Sequence, residues 1–526
     1  MTSIGTAVVR PVLTRTGSGD LVWWIALTGL CSVLLIPLFV VDVPPLLDYP
    51  NHLARAFVLA SSPGDPILAR FYAPHWSITP NLGFDLIAPA LIHVLPVHVV
   101  GRLLIAASLL LPVWGAVAYN LALGGRWWSL GAGLIAYNNC LLYGLLNFEI
   151  SLGLALLLAA GWVRWREDRP RRAITLAAVG APALFVCHLM GLVFFGLLIG
   201  SNELIRLHEG RFHAVRRDDF WSALLARGLI LLLIFAAPIA LYEISDLQQL
   251  GGDAEYPPLG QKLLQLLTTF VNYVWALDMT TAGVVLTITG VSLAMRWGRV
   301  PGPAAIAIAL LLITFLATPF AWKGTYYLDT RFSVMLGFML FAGCVPVSWP
   351  AGFRFAAAAA LVLLFVVRMA LLTTAWAEHR ADLADLRAVL APVQPGQTVY
   401  VAELGLKEEL AYWQANPRWR LLSDGVRIDE HLGALVLIER RAYWPFQFDI
   451  PSQQPIETRE PYRALAGRVG YMPTWGQAAT ADVCGFDYVL LMEADAVPDL
   501  PAERFRLLVR SGFAALYTIV KCKAAS

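Results

Sequence analysis

Apolar runs of about twenty residues recur from residue 21 to residue 376, and they restrict this chain more than any other feature. A hydrocarbon core of about 30 Å offers no water to backbone N–H and C=O groups, so such runs must close their hydrogen bonds internally, as helices. Candidate spans fall at 21–42, 101–122, 128–143, 147–163, 173–189, 190–205, 224–244, 281–296, 303–321, 333–349 and 354–376. Composition agrees: 58% of the 526 residues are hydrophobic and only 14% are charged, where soluble domains carry about 25% charged residues. The expected fold class is mainly α, a polytopic membrane protein with about eleven transmembrane helices. A net charge of +2, with no basic stripe interleaved with aromatics, excludes a nucleic-acid partner.

Arginines in short loops set the orientation. Arg10 and Arg15, Arg126, the cluster Arg164, Arg166, Arg169, Arg171 and Arg172, the group Arg206, Arg211, Arg216 and Arg217, then Arg296, Arg299 and Arg354 all belong in the cytoplasm. They fall there together only if the apolar segment 82–98 does not span. Its Pro89, His93, Pro96 and His98 fit a helix lying in the outer interface instead. The N-terminus is then inside. The stretches 43–100, 143–148, 245–280 and 322–332 face out, with the tail 377–526. This is the layout of a multi-pass membrane protein with its C-terminal domain on the outer side.

The chain accordingly divides into a membrane domain, 1–376, and a small soluble α/β domain, 377–526. In the tail a helical pattern at 379–391 precedes strand-like runs at 397–404, 434–440, 488–494 and 513–521, alternating with helical patterns such as 501–511. Cys31, Cys140, Cys187 and Cys344 lie in apolar runs and read as packing residues. Cys484 and Cys522 are the pair available for a disulfide in an oxidising compartment.

Three polar groups stand out, all on the outer side. After a double proline, Asp48, His52 and Arg55 follow at helical spacing, so a carboxylate, an imidazole and a guanidinium share one face. Asp48 also fits the N-cap of that helix, a purely structural role. Lys323, Tyr326, Tyr327, Asp329 and Arg331 crowd one short loop, more than membrane anchoring requires. Asn147, Glu149, His188 and Tyr242 sit at outer ends of spans, as capping or packing residues or as the lining of a cavity. The chain has no phosphate-binding P-loop, dinucleotide glycine motif or HExxH. A group donor used on the outer face must therefore come through the membrane, and a lipid-linked donor fits.

The layout resembles the GT-C superfamily of polyprenyl-phosphate-sugar-dependent glycosyltransferases, such as the aminoarabinose and protein O-mannosyl transferases. The LLDYPNHLAR stretch (46–55) stands where those enzymes carry an Asp-Glu motif after the first span. VVGRLLIAASLL (99–110), with Arg102 at its outer end, looks like their second span. TYYLDTRFSVMLGFML (325–340) resembles their late basic-aromatic loop. LLNFEISLGLALL (145–157) and CHLMGLVFF (187–195) look like bacterial membrane proteins of this type. The resemblance implies an inverting transfer of a sugar from a polyprenyl-phosphate donor to a lipid, glycan or protein acceptor. In that reading Asp48 is the general base and His52 orients it. Lys323 and Arg331, with Arg55 or Arg102, stabilise the leaving phosphate. Asn147, His188, Tyr242, Tyr326, Tyr327 and Asp329 line the substrate site, and 262–277 forms an interfacial lid over the lipid. Tyr49 replaces the second acid of the motif, which favours a reaction without a divalent metal and without a cofactor beyond the donor. Two other classes stay open: a transporter of lipid-linked material and a non-catalytic envelope assembly protein.

Overall fold

The computed structural model of the chain describes residues 18–520, apart from 63, 214–216, 406–417, 451 and 470. Arg10, Arg15, Arg216 and Cys522 lie outside the described residues. Among the described residues seven helices are long and apolar enough to cross a bilayer: Gly19–Val40, Val97–Ala122, Leu146–Trp165, Leu189–His208, Phe220–Glu243, Trp275–Ala294 and Ala351–Leu390. The other expected spans do not reach that standard. Gly302–Ala317 and Leu328–Gly343 have 16 residues each. Pro170–Cys187 opens on a charged turn. The 128–143 segment is no continuous α-helix, but a 3-10 helix, Trp127–Ile135, followed by one turn at Asn139–Leu142. Glycine at 131 and 133 and the Asn138-Asn139 pair explain the break, because the Asn138 side chain accepts from Leu141 N–H and restarts the chain as a capped turn. The outer segment 82–98 folds as Gly83–Ile92, ten residues long. At 1.5 Å per residue it covers about half a bilayer core.

Val97–Ala122 and Leu146–Trp165 form the heart of the bundle. Their apolar windows are 61% and 72% buried, against 11% for Phe220–Glu243, whose Leu225, Leu229, Leu232 and Leu233 point outward as a lipid-facing helix does. The two central helices approach through glycine. A Cβ on Gly115 would meet the Gly153 carbonyl oxygen at 2.7 Å, and one on Gly153 would meet Leu111 backbone at 2.3 Å. Small residues permit such close crossings where no hydrophobic drive separates helix from lipid.

The last span does not end at the membrane. Ala351–Leu390 is one 40-residue helix that carries the chain directly into the tail. There it packs against a four-stranded sheet in the order Val399–Ala402, Tyr488–Met492, Ala514–Ile519, Phe505–Ser511. The first pair is parallel, in register Val399 with Tyr488, and the rest are antiparallel. Tyr488–Met492 is almost wholly buried, as the uninterrupted apolar run YVLLM requires of an inner strand.

Two expected elements of the tail are reversed. Residues 434–440 fold as a helix, Leu435–Arg440, because a short apolar run buried on every side suits either geometry. Residues 501–511 end in the edge strand Phe505–Ser511, because the turn at Gly512 closes a hairpin whose cross-strand pairs outweigh helix propensity. Its exposed Arg506 and Arg510 guard that edge. Cys484 is disulfide-bonded, and Cys31, Cys140, Cys187 and Cys344 are free.

Tail and membrane part share one continuous hydrophobic core. Polar ties cross the same seam. Arg387 bridges Asp42 (2.6 Å) and Glu439 (2.9 Å). Tyr143 donates to Asp424 at 2.6 Å, and Ser423 donates to Asp278 at 2.6 Å. The tail is therefore seated on one end of the bundle, over the loops that carry the polar residues singled out above.

Candidate functional site

Those loops and the tail enclose one large cavity of about 930 Å³. Of the twelve residues expected to form the site, nine line it: Asp48, His52, Asn147, His188, Tyr242, Lys323, Tyr326, Tyr327 and Arg331. They come from segments up to 283 positions apart, so the fold assembles what the sequence scatters.

Asp48 is placed by backbone. Leu47 and Asp48 N–H donate to the carbonyls of Leu142 and Tyr143, both at 3.0 Å. The returning turn can lie that close only because residue 144 is glycine. Its φ is +80°, and a Cβ there would sit 2.8 Å from Asp48 N. The helix Tyr49–Ser61 then begins with Asp48 at its N-cap position, but the Asp48 side chain makes no capping hydrogen bond. The carboxylate is turned to the cavity, where 22% of its surface is exposed. Burial pushes it up to about 7, assisted by the nearby charge of Glu430 and opposed by Arg331 and Arg55.

Two histidines line the cavity with Asp48, in defined protonation states. Arg55 holds Asp85 through two bonds, at 2.7 and 2.9 Å, and its Nη2 lies 2.8 Å from His52 Nδ1. A guanidinium only donates, so His52 Nδ1 accepts and its proton resides on Nε2. His431 follows the same logic. Asn51 Oδ1 accepts from Phe448 N–H (2.9 Å), and its amide nitrogen donates to the Phe446 carbonyl (3.1 Å). These contacts fix the Asn51 amide, so its nitrogen donates to His431 Nδ1 at 3.2 Å. The His431 proton is again on Nε2, which lies 3.6 Å from Asp48 Oδ1. Burial lowers both imidazoles, His431 to about 4, so each is a neutral N–H donor.

The cationic side comes from the 322–331 loop. Lys323 and Tyr327 both have left-handed backbone, φ +51° and +58°, a strain that non-glycine residues keep where surrounding structure imposes it. Arg331 is buried. Its Nη1 donates to the Tyr326 carbonyl at 3.2 Å, while its Nε has no partner. A buried guanidinium N–H without an acceptor, on a residue that lines a cavity, is a candidate anion ligand. His188 accepts at Nδ1 from Met190 N–H (3.1 Å), leaving Nε2 as a further donor. Asn147 spends its amide on structure, accepting from Phe84 N–H and donating to Asn81.

Three expected residues do not line the cavity. Arg55 stands behind His52, paired with Asp85, and acts through it. Arg102 donates to the carbonyls of His98 and Leu38, each at 3.4 Å, on another face of the first loop. Asp329 is fully buried against Lys262 at 3.1 Å. The same Lys262 binds the Thr318 carbonyl, so the segment expected to be a lid is pinned beside the bundle, and no residue of 262–277 lines the cavity.

The sequence reading missed the tail wall: Glu430, His431, Phe448, Gln453, Gln454, Arg468 and Tyr471. The run Asp429-Glu430-His431 was the only local signal, and nothing in its spacing connects it to Asp48. Glu430 brings a second carboxylate near enough to Asp48 for its charge to be felt there. No protein-family model matches the chain, and no curated protein matches it significantly.

Proposed function

We propose that this chain is a membrane glycosyltransferase. It moves a sugar from a polyprenyl-phosphate donor to an acceptor hydroxyl on the periplasmic side of a bacterial inner membrane. The observation that carries the reading is the pairing, within one cavity at the end of a helical bundle, of an uncapped carboxylate poised near neutrality with a buried guanidinium whose Nε–H has no partner. The first is what a general base needs, the second what a leaving phosphate needs.

Asp48 takes the proton of the acceptor hydroxyl as its oxygen bonds to the anomeric carbon. The bond from that carbon to the phosphate oxygen breaks on the opposite side, and its electron pair leaves with the polyprenyl phosphate. One displacement inverts the anomeric centre. Arg331 and Lys323 hold the phosphate as its charge grows. The N–H groups of His431 and His52 orient the carboxylate. The apolar wall built by Leu189, Met190, Val193 and Ala317 receives the first isoprene units. In this proposal the chain crosses the membrane eleven times, and the shorter helices Gly302–Ala317 and Leu328–Gly343 are among the spans.

The test is release of polyprenyl phosphate from a polyprenyl-phosphate sugar donor by protein in nanodiscs. Turnover is expected from the wild type and a loss of about 10²–10⁴-fold from Asp48→Asn. A folded Asp48→Asn protein with full turnover rejects the proposal. So does wild-type protein that binds the donor and never turns it over, as a transporter or assembly factor would.

A further inference from the structure

The cavity has two unlike walls. Toward the bundle it is apolar, as a lipid requires. Toward the tail it carries aromatic faces, amides and cations: Trp322, Tyr326, Tyr471, Gln453, Gln454 and Arg468. The three aromatics, two from the 322–331 loop beneath the tail and one from the tail itself, are 47%, 49% and 45% exposed. Two of these groups are set in place by their neighbours. The Tyr471 hydroxyl accepts from Gln477, whose own side-chain oxygen accepts from Thr474 N–H in a capping box, so the ring is fixed. Gln454 Oε1 accepts from Ile450 N–H at 2.8 Å, leaving its NH₂ as the donor at the cavity. The tail loop lies directly over the strained turn, since a Cβ on Gly324 would come 3.8 Å from Gln453 Nε2.

A sugar ring has a C–H face and a rim of hydroxyls. It is held by flat aromatic faces together with amide and guanidinium groups that donate to the hydroxyls. This wall has both. A peptide would instead need a free sheet edge or an apolar groove. No residue of the four tail strands lines the cavity, and its apolar residues are concentrated on the bundle side. We infer that the tail wall is an acceptor subsite for carbohydrate, with Tyr471 and Tyr326 as stacking faces and Gln453, Gln454 and Arg468 as hydroxyl ligands. This rests on the transferase reading above for the word acceptor, but the binding of carbohydrate stands on the wall itself.

The experiment places a benzophenone amino acid at Tyr471, and separately at Gln453, in the full chain in living cells. The protein is irradiated, purified and digested, and the mass of the adduct is determined. A hexose- or pentose-containing adduct that disappears with Arg468→Ala in the same chain is the expected result. An adduct of peptide or of phospholipid, or no adduct at either position, overturns the inference. Donor turnover is measured on the same preparations with Tyr471→Ala and Gln453→Ala. Both variants should lose about tenfold or more in transfer to the captured glycan, and wild-type transfer rates in both would overturn the inference. If donor turnover fails in the wild type while carbohydrate adducts form, the transferase reading falls and the subsite remains.

Discussion

Asp48→Asn should make the protein more stable while removing its activity. Burial holds Asp48 at about 7 in place of 3.8, which is roughly 4 kcal/mol against the ionised form. Asparagine keeps the shape and never ionises. It forfeits no cap, because the Asp48 side chain makes none. It does lose the attraction of a carboxylate for a helix N-terminus, about 0.3–1 kcal/mol, so burial wins by a wide margin. A folded-state pKa above the unfolded one means the contribution of Asp48 to stability is fully present below about 4. It is lost progressively as pH rises to about 7 and stays lost above that. The advantage of Asp48→Asn is therefore negligible near pH 4 and on the order of 3 kcal/mol at pH 8. His431, held near 4 by burial, stays neutral between pH 5 and 8 and does not obscure the effect. The assay is thermal unfolding in nanodiscs at pH 5 and pH 8, beside polyprenyl-phosphate release at pH 8. A variant less stable than wild type at pH 8, or equally stabilised at both pH values, would refute the picture of a desolvated carboxylate.

The like charge of Glu430 helps hold Asp48 up, so Glu430→Gln should move the acid limb of the pH–rate profile to lower pH. A profile that stays in place removes Glu430 from the electrostatics of the site. Gly144→Ala puts a Cβ 2.8 Å from Asp48 N at a left-handed φ, so it should abolish turnover while protein still inserts, read by donor release against yield. Asp329→Asn leaves the Lys262 charge buried and unpaired, a loss of about 3–5 kcal/mol in unfolding experiments, whereas removing both charges with Asp329→Leu and Lys262→Met should recover most of it. Impermeant thiol reagents should label a single cysteine at Ser452 from outside intact cells and leave one at Asp168 untouched, in line with the arginine bias of the loops.

What the sequence disclosed follows from the range of the interactions involved. Asp48, His52 and Arg55 were legible because three residues at helical spacing must share a face, and Arg55 does lie against His52 at 2.8 Å. Membrane helices were legible because lipid leaves the backbone no alternative. Helix against strand at 434–440 was not legible. An apolar run buried all round carries no periodicity, and so suits either geometry. Asp329 misled because it stands two residues from Arg331 and looks like part of one loop. The backbone turns into a helix at Leu328, and the two side chains part, one to the cavity and one to Lys262.

The far wall could not be read at all, and the reason bears on mechanism. Asn51 reaches His431 across 380 positions, and the loop that carries Glu430 and His431 has no motif of its own. Yet removing the tail would strip Asp48 of the nearby Glu430 charge and of the His431 N–H that lies 3.6 Å away, and would expose it further to water. Its ionisation would then return toward the ordinary carboxylate range, since burial is the chief cause of the shift. In the proposed transferase the bundle would supply the base and the anion ligands, and the tail the surroundings that raise the base toward neutrality, so that neither part would work alone. The continuous 40-residue helix from membrane to tail, with Arg387 clamping Asp42 and Glu439 at the seam, is the element that keeps the two halves in register.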